Sequence, residues 1–578
     1  MYDLTVRGGT VVDGTGAPAR LADVAITDGR IVEVGRVIGA ARRTIDADGA
    51  LVTPGFVDIH THYDAQVRWD PLLTPSCWHG VTTAVLGNCG VGFAPVARER
   101  REWTIGLMEG VEDIPGAAIA AGIGWEWETF PEYLDALARQ PLALNVGVHL
   151  AHGALRAYVM GERGSTAAVP DAGELAALTR VVREAMAAGA LGVSTSRTVG
   201  HRSLDGTPVP GTFADETELA ALIGAMETSG RGVFQVVPAG TGGEAAGDPE
   251  DAPERELAML LRLAAPMRRP LTFVAMQSHA QPDRWQTHFA EVRAAWTRGV
   301  PIRPQVAARS FGMLVGHPSR MNPFRLRPSY APLAGLPLAE RAARLRDPAL
   351  RRRLLAERPV PVARPTASTT TPPDFYENLY PLGDPPDYEP APEQSVATRA
   401  RRLGRAPEEL AYDLMLADDA RELLLYPLLN YGGGSYDALY AMMSDPATVQ
   451  GLGDGGAHCG IVCDASMTTY LLSHWVRDRT RGPRLTVEHA VRRLTGDPAA
   501  LYGLSDRGIL APGRKADVNV VDPATVGLAR PELVHDLPAG APRMIQRARG
   551  YRATIVAGAV TMWNGEDTGA RPGRVVRG

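Results

Sequence analysis

Along the first fifty residues, short β-branched and apolar runs alternate with turn signals: Leu4 to Val6, Thr10 to Val12, Val24 to Thr27, Arg30 to Val34 and Thr44 to Asp46 are separated by Gly8-Gly9, Asp13-Gly14 and Asp28-Gly29. This pattern predicts a hairpin-rich β module. After Pro54-Gly55 the texture changes. Apolar runs at Phe56 to Ile59, Thr82 to Leu86, Asn145 to Leu150, Leu191 to Ser196, Val233 to Val237, Leu271 to Met276 and Ile302 to Val306 now alternate with helical stretches. Two of these, Glu174 to Ala188 and Glu216 to Thr228, are closed by Gly189 and Gly230. Continuous apolar strands separated by single helices are the mark of a parallel sheet, and roughly eight such units predict a (β/α)8 TIM barrel.

The alternation stops near Phe311. An Arg-rich helical piece from Leu338 to Glu357 and a stretch carrying Pro372, Pro373, Pro381, Pro385, Pro386, Pro390 and Pro392 follow. We read residues 311–440 as an insertion over the barrel mouth. Helical patterning returns from Pro407 to Leu424 and barrel texture at Val449 to Gly453, and β patterns resume after Gly508 with Ala516 to Asp522 and Ala553 to Val560. The expected organisation is therefore a small β-sandwich domain from residues 1–54 plus 508–578 and a barrel over 55–507. The tail from Thr568 to Gly578, rich in Gly and Arg, is expected to be poorly ordered.

Composition narrows the class. Of 578 residues, 45% are hydrophobic and 22% charged, enough for a large core, and the net charge of −5 leaves no basic footprint for nucleic acid. The N-terminus has no apolar signal region and no run approaches the roughly 20 apolar residues of a spanning helix, so a cytoplasmic protein with no membrane partner is expected. Cys77, Cys89, Cys459 and Cys463 are too few for a disulfide framework and show no CxxC, which fits a reducing compartment. Cys459 and Cys463, spaced as on one helix face, are expected to be core.

Asp58-Ile59-His60-Thr61-His62 stands at the end of the first barrel strand. Residues i and i+2 of a strand share a face, so both imidazoles can reach one metal. Barrel active sites form at that end of the strands, which turns an otherwise weak HxH into a ligand candidate. Gly453-Asp454-Gly455-Gly456-Ala457-His458 follows the last strand. Alone it reads as a turn; beside the HxH, Asp454 offers an oxygen ligand that also serves as a base. Gly87-Asn88-Cys89-Gly90 offers a thiolate between glycines, or a small cysteine packed in a tight turn.

Gly8-Gly9-Thr10-Val11-Val12-Asp13-Gly14, the run Pro54 to Asp64 and Gly80-Val81-Thr82-Thr83 resemble the amidohydrolase superfamily. Gly87 to Gly90, Ala151-His152-Gly153-Ala154-Leu155-Arg156 and Pro512-Gly513-Arg514-Lys515-Ala516-Asp517 resemble its N-acyl-D-amino-acid deacylase (D-aminoacylase) branch. The resemblance implies a barrel with a small sandwich from both termini and amide hydrolysis at a centre of one or two Zn2+ ions. It implies His60, His62, Cys89 and Asp454 as metal ligands, with Asp454 as catalytic base, and it allows a homo-oligomer. Lys515 is the only lysine and lies in the terminal module, so no carboxylated lysine is available to bridge two metals. Either Cys89 bridges or the site holds one ion. The family places a histidine on each of two middle strands, yet Val233 to Val237 contains none, with Gln235 or Val237 near the expected place, and the next strand offers His279, slightly displaced.

Arg197, His201 and Arg202 follow the strand ending at Ser196, and His152 follows the strand ending at Leu150. A guanidinium matches a carboxylate in two-point fashion, so these residues either bind the substrate or brace the rim through salt bridges. The leading reading is a zinc-dependent hydrolase of a small-molecule linear amide, an N-acyl-D-amino acid. The alternatives are a lactam, cyclic imide or xenobiotic amide hydrolase, and a catalytically silent scaffold, against which the retained His60, His62, Cys89 and Asp454 argue.

Overall fold

The computed structural model describes residues 1–241, 248–362, 369 and 371–578. Eight parallel strands make the barrel: β1 (Phe56–Asp58), β2 (Val81–Leu86), β3 (Asn145–Ala151), β4 (Gly192–Ser196), β5 (Val233–Val237), β6 (Leu271–Val274), β7 (Ile302–Val306) and β8 (Val449–Gln450). They pair in chain order. The ring closes just beyond the first and last strands, where Thr61 and Gly455 form a parallel bridge, the His62 amide donates to the Gly455 carbonyl (2.7 Å) and the Asp454 amide donates to the His60 carbonyl (2.9 Å). Closure thus sets the HxH segment and Asp454 side by side. The barrel is the architecture expected from the alternation, with strand limits within a few residues.

The helices form where their ends are capped. Helix Ala172–Ala188 starts at Asp171, whose carboxylate accepts from the Gly173 and Glu174 amides, and stops at Gly189 in the left-handed region (φ 110°). At the opposite end of the barrel, Leu501, Tyr502 and Leu504 pack with Val57, Ile59, Val85, Leu191, Val233 and Val449 as a buried floor. This floor seals the end remote from the functional loops.

Strand Tyr2–Val11 pairs along one edge with Arg20–Thr27, and along the other first with Ala41–Asp46 and then with Leu51–Pro54. Leu51–Pro54 in turn pairs with Val518–Val521 from the far end of the chain, and the sheet continues through Tyr551–Val556 and Ala559–Trp563. Both termini thus contribute to one nine-stranded mixed sheet around Val6, Val24, Ile26, Val52, Val518 and Ile555.

Two expectations change. The tail is ordered: the Gly573 amide donates to the Leu142 carbonyl (2.8 Å), the Val576 amide to the Val146 carbonyl (2.7 Å), and Val576 joins the barrel floor. The early part of β3 pairs with β2 on one side only, and the tail occupies the other. Cys459 and Cys463 are buried, but in a turn rather than on a helix.

The inserted segment has its own core. Phe311–Val315, Leu424–Leu429 and Tyr380–Pro381 form a three-stranded antiparallel sheet, packed with helices Leu338–Leu345, Pro348–Ala356, Val396–Leu403 and Pro407–Met415. Residues 363–368 and 370 of the insertion lie outside the described residues. Among the described residues no helix is long and apolar enough to cross a membrane.

Candidate metal centre

His60 and His62 leave the end of β1 with both rings buried, their centroids 5.4 Å apart. Their Nε2 atoms converge. His60 Nε2 lies 3.1 Å and His62 Nε2 3.6 Å from Cys89 Sγ, and Asp454 Oδ1 lies 3.5 Å and 3.7 Å from the same two nitrogens. The outward nitrogens have partners. His60 Nδ1 donates to Gln305 Oε1 on β7 (2.8 Å), which places its lone pair on Nε2. His62 Nδ1 is 3.3 Å from Glu112 Oε1, within ion-pair distance although the two are not aligned as a hydrogen bond.

The loops carrying the other two groups are held in uncommon backbone conformations. Cys89 has φ 56° and Asp454 φ 45°, both in the left-handed region that side chains rarely occupy. Cys89 is pinned there because its amide donates to Gln235 Oε1 on β5 (3.0 Å), and because Gly87 and Gly90 press against β3 and β4: a Cβ on Gly87 would stand 2.4 Å from the His149 carbonyl oxygen, and one on Gly90 2.7 Å from the Ser196 amide. This explains the glycines on both sides of the cysteine.

Burial pushes the Cys89 thiol up to about 12, against the pull of His62. Burial also lowers His60, to about 4, and would lower His62, but Glu112, Cys89 and Asp454 outweigh it there and hold His62 well above its ordinary value. For Asp454 burial acts upward, yet the His62 hydrogen bond and the surrounding imidazoles keep it near 2. Two buried imidazoles presenting Nε2 inward, a thiol and an ionised carboxylate are the donor set of a borderline-soft divalent cation, which displaces the protons of a coordinated imidazole and thiol. The residues fit a metal.

The other candidate residues divide. His201 is held by Ser196 Oγ (2.9 Å) and sits within electrostatic reach of His60, His62, His458 and Asp454, with burial lowering it to about 3. His152 has both ring nitrogens engaged, with Thr195 Oγ1 and Glu218 Oε1, each at 2.9 Å, the arrangement of a residue that braces the rim. Arg197 is likewise committed: its Nε donates to both oxygens of Glu256 (3.0 and 2.7 Å) and its Nη1 to the Ala214 carbonyl (2.6 Å). Arg202 is exposed and donates to Gly206 (3.0 Å) in its own loop. His279 stands apart from the ligand group: β6 ends at Val274, the chain has left the barrel rim before residue 279, and the ring lies against the Pro427 backbone and Asp374.

Three residues enter that the motifs did not assign. Glu112 ends helix Arg101–Glu112 and is buried; burial raises its carboxyl to about 7. An acidic residue on the helix face that also carries Met108 and Val111 was the available signal. His458, four residues past Asp454, places Nε2 3.9 Å from Glu112 Oε2 and its ring edge-on to Phe311 of the insertion, 5.3 Å between centroids. Gln305 braces His60 from β7, which no local pattern marks.

Two imidazoles, a thiol and a carboxylate at the mouth of a parallel barrel define a metal-dependent barrel hydrolase. The chain belongs to the amidohydrolase family, whose model matches residues 43–562. It is 29% identical to the N-acyl-D-aspartate deacylase of Alcaligenes xylosoxydans xylosoxydans over 99% of this chain and 95% of that protein. The crystal structure of a D-aminoacylase superposes with a TM-score of 0.65 at 25% identity, covering 100% of each chain. An N-acyl-D-glutamate deacylase from Bordetella bronchiseptica, solved with zinc and a phosphonate mimic of the tetrahedral intermediate, gives a TM-score of 0.65 at 23% identity over 100% of each chain.

Proposed function

We propose that the protein removes the acyl group from an N-acyl-D-amino acid by hydrolysing its linear amide at a zinc centre held by His60, His62 and Cys89, with Asp454 at the same centre as ligand and base. The observation that carries this reading is the convergence of both Nε2 atoms on Cys89 Sγ and Asp454 Oδ1, joined to full-length similarity with deacylases. When bound, the cation supplies the Lewis acidity that polarises an amide carbonyl and acidifies water.

The chain's own residues do the rest. Asp454, ionised and facing the two imidazoles, takes the proton of the attacking water and returns it to the leaving nitrogen as the C–N bond breaks. Gln305 and Glu112 orient the two imidazoles, and the Gln235 carboxamide fixes the Cys89 loop. His201 and His458 line the approach, where Phe311 brings the insertion against the mouth. All four cysteines are unpaired and buried, which supports a reducing, cytoplasmic setting.

Replacing Asp454 with Asn tests the assignment. The variant should keep its circular dichroism spectrum and lose at least about 100-fold in kcat, the usual scale of a lost general base. A near-native rate would remove Asp454 from the chemistry.

A further inference from the structure

We propose that this centre holds a single divalent cation, with Cys89 a terminal ligand rather than a bridge between two ions. The inference rests on the ligand reading above and concerns only how many ions the ligands serve.

A tetrahedral ion with bonds of about 2.0–2.1 Å to nitrogen or oxygen and about 2.3 Å to sulfur has donor–donor edges of about 3.3–3.6 Å. The observed separations, 3.1 and 3.6 Å from the imidazoles to Cys89 and 3.5 and 3.7 Å from the imidazoles to Asp454, scatter around those edges. His60, His62 and Cys89 thus close around one point, and Asp454 reaches that point from the side of the two imidazoles, beyond the mutual spacing of the other three.

Ions in a two-metal site stand about 3.5–4 Å apart, so a second one sharing Cys89 requires donors on the far side of the sulfur. β5 supplies Gln235 there, and its carboxamide oxygen is engaged by the Cys89 amide. His279, after β6, lies against Pro427 and Asp374. Lys515 pairs with Asp506 in the terminal sheet, 3.1 Å away, and is removed from the barrel. Among the described residues, His60, His62 and Cys89 form the only cluster of three or more His, Cys, Asp or Glu side chains close enough to hold an ion. Residues 242–247, 363–368 and 370, which lie outside the described residues, contain no His or Cys, and their one carboxylate is Glu244. His201 and His458 stand near the centre but complete no second cluster among the described residues.

The test is reconstitution of the full chain. Metal-free protein is loaded with Zn2+ or Co2+, passed over a desalting column and assayed for metal per protein by elemental analysis; the Co2+ form is also examined by electron paramagnetic resonance. The inference expects about one equivalent, an isolated high-spin Co2+ signal, and affinity reduced 10-fold or more in Cys89→Ala with the stoichiometry ceiling still at one. Two equivalents, or a signal suppressed by coupling between neighbouring Co2+ ions, would overturn it while leaving the ligand reading intact. Retention of no metal would instead remove the ligand reading, and this inference with it.

Discussion

Glu112 is a carboxylate with almost no access to water, placed between His62 and His458 by a helix outside the barrel strands. A carboxylate behind a ligating imidazole fixes its ring and raises its basicity, and losing one usually costs 10- to 100-fold in metal affinity. Glu112→Gln should therefore leave the fold unchanged and weaken zinc binding by about that factor in a chelator-competition titration; unchanged affinity would show that Glu112 does not act through His62. The legible part of the site is the part carried by local spacing. His60 and His62 are two apart at a strand end, Cys89 sits between glycines, and Asp454 follows the last strand. Glu112 and Gln305 are not legible in the sequence, and Gln235 is legible only by its place on the middle strand and not as the brace of the Cys89 loop, because each acts through a contact with a residue distant in the chain; a position near a strand end does not say where the chain leaves the barrel, which is why His279 stands apart.

At the scale of elements, the inserted segment is fastened to the barrel by Glu389. Its carboxylate accepts from Arg479 (Nη2 3.0 Å, Nε 3.1 Å), His474 Nε2 (2.8 Å) and the Tyr436 amide (2.9 Å). Burial alone would raise its pKa, but the His474 and Arg479 hydrogen bonds prevail and hold it near 2, below the ordinary 4.5. A depressed carboxylate stabilises the folded state fully above about pH 4.5 and loses that contribution as pH falls toward 2, a change of at most about 3 kcal/mol. Urea unfolding between pH 5 and pH 3 should show the wild type losing stability faster than Glu389→Gln, whose curve lacks this contribution; parallel curves would contradict the role. The insertion's helices were readable from their patterning, whereas its sheet was not. Pro427 lies inside the central strand, opposite Gly312, and a proline in an apolar run argues against a strand when only the sequence is read.

Across the whole molecule, the ends of the chain meet both the terminal sheet and the barrel. The tail whose composition predicts poor order fills the unpaired flank of β3, with Arg577 paired to Asp135 (2.7 Å) and the Gly578 amide bonded to the Gly189 carbonyl (3.2 Å). Gly and Arg content carries no information about an open strand flank elsewhere, so the order of the tail is not legible in the sequence, whereas the barrel, repeated as a period along the chain, is. Removing residues 572–578 strips Val576 from the floor together with these backbone bonds and should cost about 2–3 kcal/mol in chemical denaturation. The folded fraction should keep its metal, since the floor lies at the opposite end from the centre. An unchanged midpoint would mean that the tail contributes nothing.

Deacylation of one stereochemical series and its dependence on a metal centre are both read by one steady-state measurement. Amine release is followed from matched N-acetyl-D- and N-acetyl-L-amino acids, with cyclic imides and lactams alongside, using native protein, chelator-treated protein and the treated protein given back zinc. The account predicts turnover of the D series, loss of that turnover on chelation and its recovery with zinc. Equal turnover after complete metal removal, or activity confined to the cyclic substrates or the L series, would contradict it.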